Sequence, residues 1–218
     1  MNKVKKTDPT PPPSNEERLE EYGLSSQQVR MEDLVVGENE YIRLTLRGDV
    51  PNRYAKLAQH IRVESIAHLK RLIGVPDQVV QKQCVRPCEE NLTEVISPEF
   101  NSLTDLSTKQ FEVLQLAANE FIYGNSEAIA IYEPALNKAI SSVIRSRITL
   151  LPFNDIIVER GGVLELDGSA EVIFANKVLI KQGGKIRLTG TVKIDCNSIQ
   201  GEEVPFAVGT VLSSVRRR

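Results

Sequence analysis

Two histidines and two cysteines fall within one stretch of this chain: His60, His68, Cys84 and Cys88. Zinc takes such ligands, and the Cys84-x3-Cys88 spacing fits half of a tetrahedral site. The apolar pattern of residues 51–74 reads as one helix ending at Gly74, with Leu57, Ile61, Leu69, Leu72 and Ile73 on its buried side. On such a helix His60 and His68 stand about 12 Å apart along the axis, too far to share an ion. The expectation is no metal, with inert thiols and ordinary core or surface histidines. Nucleophilic catalysis finds equally little: there is no G-x-S-x-G, and Cys88 with either histidine is the one pairing of nucleophile and base to weigh. Neither phosphate-binding glycine motif is present, so no cofactor is expected. Arg47-Gly48-Asp49 reads as a strand-end turn, and Arg216-Arg217-Arg218 as a solvated basic tail.

The carboxylates Glu159, Glu165, Asp167 and Glu171 are the remaining candidates for chemistry, and each has a counterpart one repeat later: Lys181, Arg187, Thr189 and Lys193. Three of the four become acid-over-base pairs. Opposite charges on neighbouring strands stabilise by about 0.2–1 kcal/mol each and fix register. A catalytic or calcium cluster needs unpaired acids converging on one side. Only Asp167 and Asp195 are left over, and they are more than one repeat apart. No catalytic residue is therefore expected.

The elements that carry these residues change character along the chain. Residues 1–15 are basic and Pro-rich, with Val4 the one large apolar residue, and read as a disordered leader. Ser14-Asn15-Glu16-Glu17 has capping-box spacing and opens a helix closed by Gly23. Tyr41 to Arg47 alternates as a strand. Ser107 to Gln110 caps a helix that Gly124 stops. Pro134 lies in the segment after Ser126 and either kinks it or restarts it as a first-turn proline. After Arg147 the apolar period drops from about 3.6 to 2.

From there the sequence repeats. Val158 to Gly168 matches Ile180 to Gly190 position by position, including Gly161-Gly162 with Gly183-Gly184 and Gly168 with Gly190. Leu150, Asn154, Ile156 and Val158 match Val172, Asn176, Val178 and Ile180. Glycine and asparagine recur between three short alternations, which gives three strands and three corners per turn of a coil. The expected fold class is α+β: an α-helical N-terminal region, 16–146, with one small strand, then a parallel β-solenoid of about three coils, 147–212, and a basic tail, 213–218.

The motif apolar-x-x-Gly-Gly-x-Ile/Leu-x-Leu-x-Gly-x-apolar-x-apolar over residues 147–201 resembles right-handed parallel β-helix proteins, a superfamily that includes pectate-lyase-like enzymes and the polymer-forming bactofilins. The basic Pro-rich leader resembles the unstructured tails of bactofilins. The resemblance implies the coil fold and makes polymerisation one expectation.

Composition limits function. Net charge is −2, which gives no global field for nucleic acid. Trp is absent and aromatic residues are 5%, which disfavours stacking platforms for sugars or single strands. Three cysteines do not make a disulfide scaffold. No apolar run approaches the roughly 18–20 residues of a membrane span, and no signal-like apolar segment follows Met1 to Lys6, so the expected location is cytoplasmic, with non-classical export as the other route. The informative residues are apolar and expected to point outward: Leu151 over Ile173, and Ile157 over Leu179. Phe206 and Val208 make the C-terminal segment strand-like. These six are the expected interface, covered by the chain's own helices or by another subunit. The expected function is a non-enzymatic structural or assembly protein that self-associates as a homo-oligomer or polymer. The alternatives are a carbohydrate-binding or carbohydrate-active β-helix, or an adaptor for a protein partner.

Overall fold

Capping residues set the helix starts, and they do so where the spacing predicts. A computed structural model describes residues 13–48, 52–82, 96–97, 99–140, 146–201 and 211–213. Helix α1 (Asn15–Glu21) opens on the reciprocal Ser14–Glu17 capping box. After it Gly23 takes φ +70, the left-handed turn that favours glycine. Helix α4 (Thr108–Tyr123) opens on the same device from Ser107 and Gln110 and ends at Gly124. Pro134 sits in the first turn of α5 (Glu133–Ala139), the restart rather than the kink. Between these lie α2 (Ile66–Ile73) and α3 (Asp77–Lys82). The single helix expected over 51–74 is wrong. A short 3-10 turn at Ala55–Leu57 is followed by strand β3 (Gln59–Arg62), and α2 starts only after Ser65. Cys84 and Cys88 lie outside the described residues.

The fold is mixed α+β with two parallel sheets. The first runs β1 (Glu32–Val36), β4 (Arg147–Val158), β6 (Val172–Ile180) and β8 (Val192–Gly201), with β9 (Val211–Ser213) antiparallel on β8. Strand β3 pairs antiparallel with the Arg147–Leu150 end of β4. The second sheet runs β2 (Tyr41–Leu44), β5 (Val163–Leu166) and β7 (Lys185–Leu188). Partners across β4–β6 and β5–β7 follow the repeat seen in the sequence, with Val158 opposite Ile180 and Leu164 opposite Ile186.

Two features differ from expectation. First, residues expected in the helical region supply a complete extra layer: Val36 stands opposite Val158, and Leu44 opposite Leu166. Helices α2 to α5 are therefore inserted between this first layer and the next one, with α1 ahead of the first, and the change at Arg147 is a return to the sheets. Second, the next repeat is one residue shorter. Val172 faces Lys193 and Ala175 faces Cys196, whereas even spacing would bring Ile194 to Val172.

Each long strand turns at an asparagine. Regular pairing breaks at Asn154, Asn176 and Asn197; the inward side switches from odd to even positions at the first two and, after the shortened repeat, from even to odd at Asn197. Before the turn, Leu151, Phe153, Ile173 and Ala175 point between the sheets; after it, Ile156, Val158 and Val178 do. The opposite face of the first half, carrying Ile148, Leu150, Val172 and Phe174, packs against Leu69, Leu72, Leu114, Phe121 and Leu136 of the helices. Each such side chain contributes about 1.5–3 kcal/mol on full burial. The ends of the inter-sheet core are unequal. Tyr54 lies edge-on to Phe153 at 5.3 Å and, with Leu57, covers the β1–β2 end. At the other end Ile180, Ile186, Leu188 and Ile199 remain half-buried. Among the described residues, no helix is long and apolar enough to cross a membrane.

Candidate functional site

The shortened repeat turns polar residues of β8 toward the helices. Opposite Val172 and Phe174 stand Lys193 and Asp195, and α1 lays Arg18 and Tyr22 on them. Arg18 is 4% exposed and donates from Nε and Nη2 to Asp195 Oδ1, at 3.0 and 2.6 Å. Its Nη2 also reaches the Ala175 carbonyl at 3.1 Å, its Nη1 donates to Asn15 Oδ1 at 3.2 Å, and its guanidinium stacks 4.3 Å from the Phe174 ring. Tyr22 donates its hydroxyl to Asp195 Oδ2 at 2.5 Å. Lys193 donates to the Leu72 carbonyl at 2.9 Å, which satisfies an orphan acceptor at the end of α2. Its amine also lies 3.8 Å from Asp195 Oδ2 and over the Tyr22 ring.

Burial shapes the protonation of this group. It pushes the Tyr22 hydroxyl well up, with the Asp195 charge adding to the effect. It lowers Lys193, although Asp195 pulls the other way. It moves the Cys196 thiol up to about 11. Arg18, Lys193, Asp195 and Cys196 line a cleft of about 880 Å³ together with Lys70 and Asp77. Lys70 donates to the carbonyls of Phe121 and Gly124 and to Asp77, and Asp77 accepts from the backbone N–H and hydroxyl of Ser126. Arg18, Lys70, Lys193, Asp77 and Asp195 thus all spend their hydrogen bonds on the protein. The arrangement fastens α1 to β6 and β8, and α3 to the end of α4.

His60 and His68 come together differently than expected, one on β3 and one on α2, along a groove of about 420 Å³. Thr149 Oγ1 is 3.2 Å from His60 Nδ1, and His68 Nδ1 accepts the Glu64 N–H at 3.3 Å. Among the described residues no group of three or more His, Cys, Asp or Glu side chains is placed to hold a metal.

The charge columns are partly as expected. Lys181 meets Glu159 at 2.7 Å. Glu165 stands opposite Arg187 in register, but its carboxylate takes Arg43 at 3.4 Å and the Tyr41 hydroxyl at 2.8 Å. The Glu171–Lys193 pairing does not form in register, because the shortened repeat sets Lys193 opposite Val172. Asp167 is buried; Ser169 donates to its Oδ1 from backbone and hydroxyl, and Arg43 and Arg47 lie 3.7 and 3.6 Å from its Oδ2. Its carboxyl is held below the usual range, as the Ser169 and Thr45 hydrogen bonds outweigh the opposing effect of burial.

Of the expected interface residues, Leu151 and Ile173 are corrected: they are 0% and 1% exposed and lie between the sheets. The asparagine turn resets the alternation, so odd positions before it are interior. Ile157 and Leu179 do lie on the outer side, half-buried and in register, and Val35 extends the row at 41% exposed. Phe206 and Val208 lie outside the described residues. Comparisons with family models, with curated proteins and with solved structures each return no match.

Proposed function

We propose that this chain is a non-enzymatic assembly protein whose two parallel sheets are faces of a short β-solenoid, and that it self-associates through the outer face of β1, β4 and β6. The observation that carries this reading is the outer row Val35–Ile157–Leu179, flanked by charges of opposite sign on adjacent strands. Beside Ile157 stand Asp155 on β4 and Glu159 just past its end; beside Leu179 stand Lys177 on β6 and Lys181 just past its end, with Lys177 opposite Asp155 in register and Lys181 2.7 Å from Glu159. Such a face complements itself. A two-fold axis along the strands, midway between β4 and β6, sets Asp155 against Lys177 of the second copy, Ile157 against Leu179, and Glu159 against Lys181. Closed dimers use this kind of self-matching contact, and charge complementarity fixes its register. The sequence repeat and the likeness to parallel β-helix proteins support the coil reading. The engaged side chains of the cleft favour an assembly role over catalysis.

Charge reversal tests the face. Asp155→Lys sets two like charges together and lowers the mass in solution toward that of the single chain. Adding Lys177→Asp restores the pair and the mass. Leu179→Glu also dissociates the assembly, with the melting temperature held near wild type because the site is on the surface. Masses that ignore all three changes reject this face.

A further inference from the structure

Among the described residues no strand covers the β7 end of the second sheet, and that end carries its own chemistry. Lys185 and Thr189 donate their backbone N–H groups to Gly162 and Leu166 on the β5 side, each at 2.9 Å. Alternation along a strand turns the N–H and C=O of Ile186 and Leu188 to the opposite edge, where no described strand pairs with β7. Their side chains extend the inter-sheet core by one rung: Leu164 and Leu166 beneath them are 0% and 2% exposed, but Ile186 and Leu188 stay half-buried. On the outer side Lys185 and Arg187 are exposed. We infer that β7 receives an added strand from a partner protein, an extended segment with apolar residues facing inward and acidic residues facing outward.

The sign of the partner follows from the charges. The outer column reads Arg43, Glu165, Arg187 across β2, β5 and β7. Alternation makes the next member of that column an acid, opposite Arg187, and Lys185 adds a second exposed cation on the same outer face. A second copy of this chain does not supply it. Its β2 would set Arg43 against Arg187, behind an end already covered by Tyr54 and Leu57. Its β7, antiparallel with matching faces, would set Lys185 against Arg187. Like charges opposite one another on paired strands are destabilising, and edge lysines of this kind discourage self-pairing. A foreign acidic strand satisfies the backbone groups that no described strand pairs, covers the apolar rung and meets Lys185 and Arg187, which is the strand-addition mode of recognition. This surface lies on the other sheet from the proposed self-association face, so failure here appears in peptide binding and failure there in solution mass.

The test uses the full chain and a fluorescein-labelled, end-blocked peptide of alternating glutamate and valine, followed by anisotropy and amide hydrogen exchange. The expected result is saturable binding with new protection at the Ile186 and Leu188 amides. Lys185→Glu with Arg187→Glu weakens that binding by about tenfold or more and gains binding to the lysine–valine counterpart. Arg187→Gln alone, the milder change, gives a smaller loss. Absence of binding overturns the inference. So does equal binding of a peptide with prolines at alternate positions, which keeps the charge and removes the strand donors, or protection of the Ile186 and Leu188 amides before any peptide is added.

Discussion

Replacing Arg18 by methionine should unfasten α1 at a cost that can be worked out from its contacts. The guanidinium supplies two hydrogen bonds to Asp195 and one to the Ala175 carbonyl, and it stacks on Phe174. Methionine keeps much of the apolar contact and loses the rest. Asp195, 8% exposed, is left with the Tyr22 hydroxyl and a lysine 3.8 Å away. Removing one partner of a buried ion pair costs about 3–5 kcal/mol, because the other charge stays desolvated. Total stabilities of about 5–15 kcal/mol make that a large fraction. Urea unfolding followed by circular dichroism measures the loss. Asp195→Asn in the Arg18→Met background removes the orphaned charge and still accepts from Tyr22, so the double variant should be more stable than Arg18→Met alone. A double variant whose loss equals the sum of the two single losses would refute the coupling of these residues.

Two further variants probe the layers. Gly190→Ala would drive a methyl group into the backbone carbonyl of Asp167 in the adjacent layer; the expected loss is about 1–3 kcal/mol in the same unfolding assay, and an unchanged midpoint would contradict that contact. The Cys196 thiol is raised by burial from 9.0 to about 11, so its contribution is intact below pH 9 and lost as pH rises toward 11, where the unfolded thiol gives up its proton first. Cys196→Ala should therefore flatten the fall in stability over pH 9–11 relative to wild type. Tyr22 and Lys193 titrate in both proteins and cancel in the comparison.

What the sequence revealed depended on how local the signal was. The Ser14 and Ser107 capping boxes involve residues three apart, and they predicted both helices. The repeat was legible because Val158–Gly168 and Ile180–Gly190 share glycine spacing and apolar alternation. The Tyr41 strand was legible from its own alternation, but its place in a first layer was not, because that layer's corner is built from Gly37 to Glu40, without the Gly-Gly pair. Asn39, at φ +55, takes the left-handed place held by Gly161 and Gly183 in later layers, and more than a hundred residues intervene. The outward reading of Leu151 and Ile173 failed because one alternation was carried through Asn154 and Asn176, where the chain turns. The Arg18–Asp195 group was hidden by the shortened repeat: Val192 and Ile194 resemble Ala170 and Val172 in type, so even spacing looked continuous. His60 was placed on a helix because Leu57, Ile61 and Leu69 fit that period as well as they fit a turn, a strand and a helix in succession.

The most direct measurement is the mass of the full chain by sedimentation across a concentration series at moderate salt. The self-complementary face predicts a closed dimer, twice the 24.3 kDa chain mass, at micromolar concentration, returning to the single-chain mass in Asp155→Lys. A mass that holds at 24.3 kDa throughout the series would contradict the assembly reading.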